Sequence, residues 1–144
     1  MSRIPRYQEH LKTGFTAEAV SAARFRAYAD RAERDGRPRL AGRWRRLAAE
    51  KDALAVQLLV AAGQVRGESA DLGAASEEER YENDVLYPKM IREVDQPTAD
   101  TFLQVMNAQK EHLRQLEELR QALNAAEGDV DLPAEVDQGT LAKR

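Results

Sequence analysis

Six residues of this 144-residue chain have the types and spacing to do chemistry: Glu18, Lys51, Glu79, Glu82, Gln109 and His112. Glu79 with Glu82, and Gln109 with His112, stand three apart, which puts each pair on one face of a helix. Carboxylates, an imidazole and a carboxamide are oxygen and nitrogen donors suited to Fe²⁺, Mn²⁺ or Zn²⁺. Lys51 is itself a cation and competes with a metal for the same carboxylates. With the three glutamates ionised and Lys51 charged, the group carries −2, or −1 if His112 is protonated. Either a metal-free network of ion pairs or one divalent ion satisfies that balance.

Each of these residues interrupts an otherwise apolar stripe. The first reads Leu11, Phe15, Glu18, Ala22, Phe25, Ala29, Ala32, and the second Leu40, Trp44, Leu47, Lys51, Leu54, Leu58, Ala61. The third is short, Ala75, Glu79, Glu82, Leu86, Met90, and the fourth reads Phe102, Val105, Gln109, His112, Leu116, Leu119, Leu123. Steps of three and four mark the inward face of a helix. An unpaired charge there costs several kcal/mol, so the polar residues need partners. They sit near the middle of their stripes, so one bundle would gather them at one level.

Four helices are expected. Helix A spans about 7–33 and stops at Asp35-Gly36, where the glycine takes the left-handed cap position; Pro38 opens helix B, about 38–62. Residues 63–75 hold three glycines and read as a connection. Ser76 and Glu79 form a capping box for helix C, about 76–94, which Pro88 should kink. Asp95-Gln96-Pro97-Thr98 is a turn into helix D, about 98–126, and residues 128–144 are an acidic, flexible tail. Short A–B and C–D turns make two antiparallel hairpins. A connection of 13 residues is long enough to return along helix B, or to swap hairpins between two chains. The expected fold is therefore all-α: a four-helix bundle of two hairpins joined by a long crossover.

Composition narrows the function. The chain is 42% hydrophobic and 33% charged, as suits a globular helical protein, and its net charge of −3 gives no reason to expect nucleic acid or an anionic membrane. The basic run Arg37, Arg39, Arg43, Arg45, Arg46 is balanced by acidic residues elsewhere and reads as a solvated face. No cysteine is present, which excludes disulfides, thiolate ligands and thiol catalysis. No apolar run suggests a signal peptide or a membrane span, so the expected location is cytoplasmic. There is no glycine-rich phosphate loop and no Ser-His-Asp arrangement. The halves echo each other: Trp-x6-Lys-x2-Leu from Trp44 matches Phe-x6-Gln-x2-His from Phe102, offset by 58, as after a hairpin duplication.

Residues 10–120 resemble the rubrerythrin branch of the ferritin-like superfamily. The matching segments are Phe15-Thr-Ala-Glu18-Ala, Tyr28-Ala-Asp-Arg-Ala-Glu-Arg-Asp-Gly36, Glu79-Arg-Tyr-Glu82 followed by Tyr87-Pro88, and Gln109-Lys-Glu-His112. The resemblance implies a non-haem di-iron carboxylate site for peroxide or oxygen chemistry. In that family each hairpin gives a carboxylate from its first helix and Glu-x-x-His from its second. This chain departs from the pattern. The first Glu-x-x-His falls on Lys51-Asp-Ala-Leu54, and the second on Gln109-Lys-Glu-His112, so both bridging glutamates are replaced. Glu50 would substitute only if a bulge rotated helix B.

Two functional readings follow. In the first the chain is a rubrerythrin-like metal protein with one Fe, Mn or Zn ion on Glu79, Glu82 and His112. Gln109 is then a neighbour, and Glu18 with Lys51 fills the vacated half. It would act in iron or peroxide handling as a non-haem oxidoreductase with an external reductant, since no rubredoxin module is present. In the second no metal binds: Lys51 is the core counter-ion and the bundle is an interaction or scaffold module. A homodimer is expected from family habit. Gly139–Arg144 loosely resembles peptides that load ferritin-like cargo into bacterial protein shells. Tyr81 and Tyr87 are expected to pack against helix B, Trp44 and Phe102 in the core, and His10 on the surface.

Overall fold

Alanine, not leucine, fills the seam of the first hairpin. The computed structural model describes residues 6–132, which form helices, turns and short connections without a strand. The chain divides into two compact units, Met1–Arg66 and Gly67–Arg144. In the first, α1 (Arg6–Arg34) packs on α2 (Pro38–Ala61). The hairpin turn follows from Gly36, at φ +75°. There Arg37 N–H donates to Ala32 O at 2.8 Å and Gly36 N–H to Glu33 O at 3.0 Å, the paired bonds of a Schellman stop. Gly63, at φ +71°, ends α2 in the same way, with Gln64 N–H donating to Leu59 O. Pro38 occupies the first turn of α2, where its missing N–H costs nothing.

Ala41, Ala48, Ala55 and Ala62 recur every seven residues and are buried, as are Ala22, Ala29 and Ala32 on α1. Small side chains allow close helix approach. A Cβ added at Gly14 would meet Leu58 Cδ1 at 3.3 Å. Leu40, Leu47 and Leu54 of the expected α2 stripe each lie one residue from a seam alanine, about 100° around the helix. The seam therefore runs beside the stripe rather than along it. Leu40, Leu47 and Leu54 remain 45%, 44% and 46% exposed, so they forgo part of the ~1.5–3 kcal/mol that full burial of each would supply. Aromatics close one end: Phe25 and Tyr28 each stand 5.1 Å from Trp44, ring centre to ring centre.

The second unit departs further from the expected boundaries. Its first helix, α3 (Glu68–Tyr81), starts at Glu68 rather than Ser76. Glu68 and Asp71 in the first turn favour its positive end, and Gly67 N–H donates to Asp71 Oδ2 at 3.3 Å. Ser76 lies buried inside the helix, so the expected capping box is not made and Glu79 is left to face α5. The 63–75 connection accordingly shrinks to residues 62–67, with a reach of roughly 21–25 Å.

Pro88 acts as expected, but through a wide turn rather than a sharp kink. Its ring would clash with the carbonyl four residues back. The backbone opens into a π-turn over Glu82–Leu86, in which Tyr87 N–H donates to Glu82 O. A short helix, α4 (Tyr87–Ile91), follows, ending before the expected residue 94. Asp95 then caps α5 (Gln96–Ala125), its Oδ1 accepting from Thr98 N–H at 3.0 Å. Tyr87 packs on Phe102 of α5, centroids 5.5 Å apart, while Tyr81 is exposed. No helix among the described residues is long and apolar enough to cross a membrane. The proposed shell-loading hexapeptide and most of the acidic tail lie outside the described residues.

Candidate functional site

The six candidate residues pair within their own hairpins. Between α1 and α2, Lys51 Nζ stands 2.8 Å from Glu18 Oε2. That distance is typical of a charge-assisted contact between an ammonium and a carboxylate. Both side chains keep some solvent access, 33% for Lys51 and 25% for Glu18, so this pair is only partly desolvated.

Between α3 and α5 the spacing of three on each helix produces two parallel contacts. Glu79 and His112 meet at one level and Glu82 and Gln109 at the next. His112 Nδ1 lies 3.1 Å from Glu79 Oε1. A proton on Nδ1 donates to the carboxylate and leaves the Nε2 lone pair for another partner. Gln109 Nε2 donates to Glu82 Oε2 at 2.5 Å. That bond fixes the amide: nitrogen toward the carboxylate, oxygen away from it. Gln109 is more than nine-tenths buried, and its Oε1 accepts no hydrogen bond. Glu79 Oε2 is likewise buried without a hydrogen bond. His112 is 54% exposed at its side chain. It stands at the rim, not in the core as its stripe implied.

Asn83 is the polar residue that the stripes missed. It lies four residues after Glu79, on the same helix face, and is 6% exposed. Its Nδ2 donates to the Met106 carbonyl of α5 at 2.8 Å, and its Oδ1 is buried without a hydrogen bond. A polar residue at i+4 from a functional glutamate was the available signal. It was masked because the third stripe followed Leu86 instead.

Glu111 and Glu33, outside this group, are committed elsewhere. Glu111, beside His112, is held down to about 2 by hydrogen bonds from Arg114 and then Gln115. Glu33 is lowered by its bond and charge contact with Arg45. No protein-family model matches the chain, and no curated protein sequence does either. Among the described residues, no three carboxylate, imidazole or thiol side chains converge as a ready metal group. Glu79 and Glu82 on one side of the hairpin and His112 on the other therefore do not form a closed triad.

What the second hairpin lacks has one sign. Glu79 Oε2, Asn83 Oδ1 and Gln109 Oε1 are all acceptors. Each unsatisfied buried acceptor costs about 1–3 kcal/mol. A hydrogen-bond donor, water included, or a cation relieves such an acceptor; another carboxylate or carbonyl does not. Side chains of these types could hold a divalent cation.

Proposed function

We propose that this chain is a rubrerythrin-like non-haem metal protein with a single divalent ion on its second hairpin, acting in iron or peroxide handling. Glu79, Glu82 and His112 would hold the ion, Gln109 would add its carbonyl, and Fe²⁺, Mn²⁺ or Zn²⁺ all suit such donors. The observation that carries this reading is the Gln109 carboxamide. Its nitrogen is spent on Glu82, and its buried oxygen is left without a hydrogen bond. Bound there, the ion would supply redox or Lewis-acid chemistry, with electrons from an external reductant. The chain's own residues bind it, His112 Nδ1 and Glu79 Oε1 exchanging their present 3.1 Å contact for the ion, and Glu18 with Lys51 supplies a self-neutralised pair in the other hairpin.

The half-exposed leucines of α2 support a bundle in which the open faces are covered, the four-helix arrangement of ferritin-like proteins. A homodimer is part of this proposal. The test is metal content per chain on protein grown with added iron and manganese. About one equivalent is expected, lost in Glu82→Ala and His112→Ala. None, also after reconstitution, would sink the reading.

A metal-free bundle acting as an interaction or scaffold module is the second reading. The 2.8 Å Lys51–Glu18 contact favours it, since the ammonium takes a metal's electrostatic place. On that reading EDTA leaves the melting temperature unchanged.

A further inference from the structure

We infer that Asn83 is a further ligand of the proposed site, and that its carbonyl biases the site toward hard, oxygen-preferring divalent ions such as Mn²⁺. The inference rests on the metal-binding reading above but on a different observation, the π-turn that begins at Glu82.

Pro88 sets the local backbone geometry. The π-turn forced before it adds one residue to the turn, and Asn83 falls within it. Asn83 is 6% exposed, and its Nδ2 donates to Met106 O at 2.8 Å. That bond fixes the carboxamide, because the reverse orientation would set oxygen against oxygen. The Oδ1 therefore points away from Met106, buried and without a hydrogen bond. Gln109 is fixed by the same logic through Glu82. Two amides thus spend their N–H groups on the protein and keep their oxygens.

The α5 partners Met106, Gln109 and His112 are spaced by three, so their contacts climb one face of α5 in step. On the facing element, Glu79 and Asn83 are four apart with Glu82 between them. The three free acceptors of this hairpin therefore lie within about one helical turn of Glu82, some 5–6 Å along the axis. With Asn83 included, the donor set is two carboxylates, two amide carbonyls and one imidazole. Carboxylate and carbonyl oxygens suit Mn²⁺ and Mg²⁺, whereas imidazole suits Zn²⁺ and Cu²⁺. Removing a neutral oxygen donor should cost Mn²⁺ more than Zn²⁺.

The test is calorimetric titration of the full chain with MnCl2 and separately with ZnCl2, comparing wild type, Asn83→Leu and Asn83→Ser. Asn83→Leu keeps the volume but removes the oxygen, and Asn83→Ser keeps an oxygen of shorter reach. Metal-free melting of each variant reports folding separately. The inference expects Asn83→Leu to weaken Mn²⁺ about tenfold or more and Zn²⁺ at most threefold. Asn83→Ser should fall between it and wild type. Equal weakening of both metals would make Asn83 a positioning residue only and overturn it. Unchanged affinities would also overturn it, without touching the metal-binding reading. If wild type binds neither metal, the reading in the previous section fails first.

Discussion

Gln109→Glu is the sharpest perturbation available, because it sets a carboxylate of nearly the same size against Glu82 in place of the amide. Gln109 Nε2 donates to Glu82 Oε2 at 2.5 Å. Losing a hydrogen bond to a charged acceptor costs about 1.5–3 kcal/mol. Two like charges some 4 Å apart add a Coulomb repulsion of about 4 kcal/mol at an effective dielectric near 20. Side-chain rotation and proton sharing relieve much of this, so the metal-free variant should lose about 2–4 kcal/mol at pH 7. For a chain of this size that is a fall in Tm of roughly 6–12 °C. The sign with pH follows from the pair. Proximity raises the affinity of the two carboxylates for a shared proton above that in the unfolded chain, where a glutamate titrates near 4.3. The penalty is therefore full at neutral pH and fades as pH falls through the raised value toward ~4. Saturating Mn²⁺ should reverse it, with an affinity at least tenfold above wild type, or about 1.4 kcal/mol. The assay is calorimetric melting at pH 4 and pH 7, with and without Mn²⁺. A metal-free variant as stable as wild type at pH 7 would refute the Gln109–Glu82 contact. Loss of stability that Mn²⁺ does not restore would refute the cation site.

Other outcomes test the surrounding architecture. Lys51→Met removes the cation from Glu18; partial solvent access places the cost between exposed and buried pairs, about 1–2 kcal/mol by urea denaturation. A change below ~0.5 kcal/mol would mean that the pair does not stabilise the fold. Gly36→Ala should cost about 1–2 kcal/mol with no steric clash, since nothing lies within 4 Å and only the left-handed φ is at stake; no loss would contradict the turn. Leu47→Asp combined with Leu54→Asp should lower stability by more than ~2 kcal/mol if the open face of α2 is covered in solution. A true surface site shifts by at most ~0.5 kcal/mol. Glu111 should titrate by NMR near 2, so whatever it contributes is complete above pH ~4.5 and lost as pH falls through that value; a midpoint at 4 would break the Arg114 contact.

Helix positions were legible wherever a local stop signal existed. Gly36, Gly63, Pro38 and Asp95 act at the ends of α1, α2 and α5 through chemistry confined to a few residues. Ser76 misled because a capping box and a buried helix interior share the same pattern, and the acids at Glu68 and Asp71 outcompeted it. The stripes identified helices but not the seam. Periodicity counts large apolar residues, whereas close packing selects small ones, so Ala41, Ala48 and Ala55 lay one residue from the positions that the leucines marked. The spacing placed Glu79 with Glu82, and Gln109 with His112, on shared faces, but which residue meets which across the hairpin came from the structure. Asn83 was not, because its role depends on a π-turn that periodicity does not encode.

The internal repeat gains meaning from these contacts. Lys51 and Gln109 are offset by 58, and their partners Glu18 and Glu82 by 64. Each hairpin thus sets one carboxylate of its first helix against one polar residue of its second. Carrying the same offsets one turn further pairs Phe15 with Leu54 where the other hairpin pairs Glu79 with His112. At these positions the first hairpin has two apolar side chains where the second has a carboxylate and an imidazole, and it answers Glu18 with an ammonium. The second answers Glu82 with an amide. If a symmetric two-metal ancestor diverged in this way, the metal should be lost from the first hairpin alone. Leu54→His with Lys51→Glu in the wild-type background should then raise metal content from about one equivalent toward two. Glu82→Ala in that variant should return it to one. A variant that binds no more metal than wild type would show that the halves were never equivalent sites.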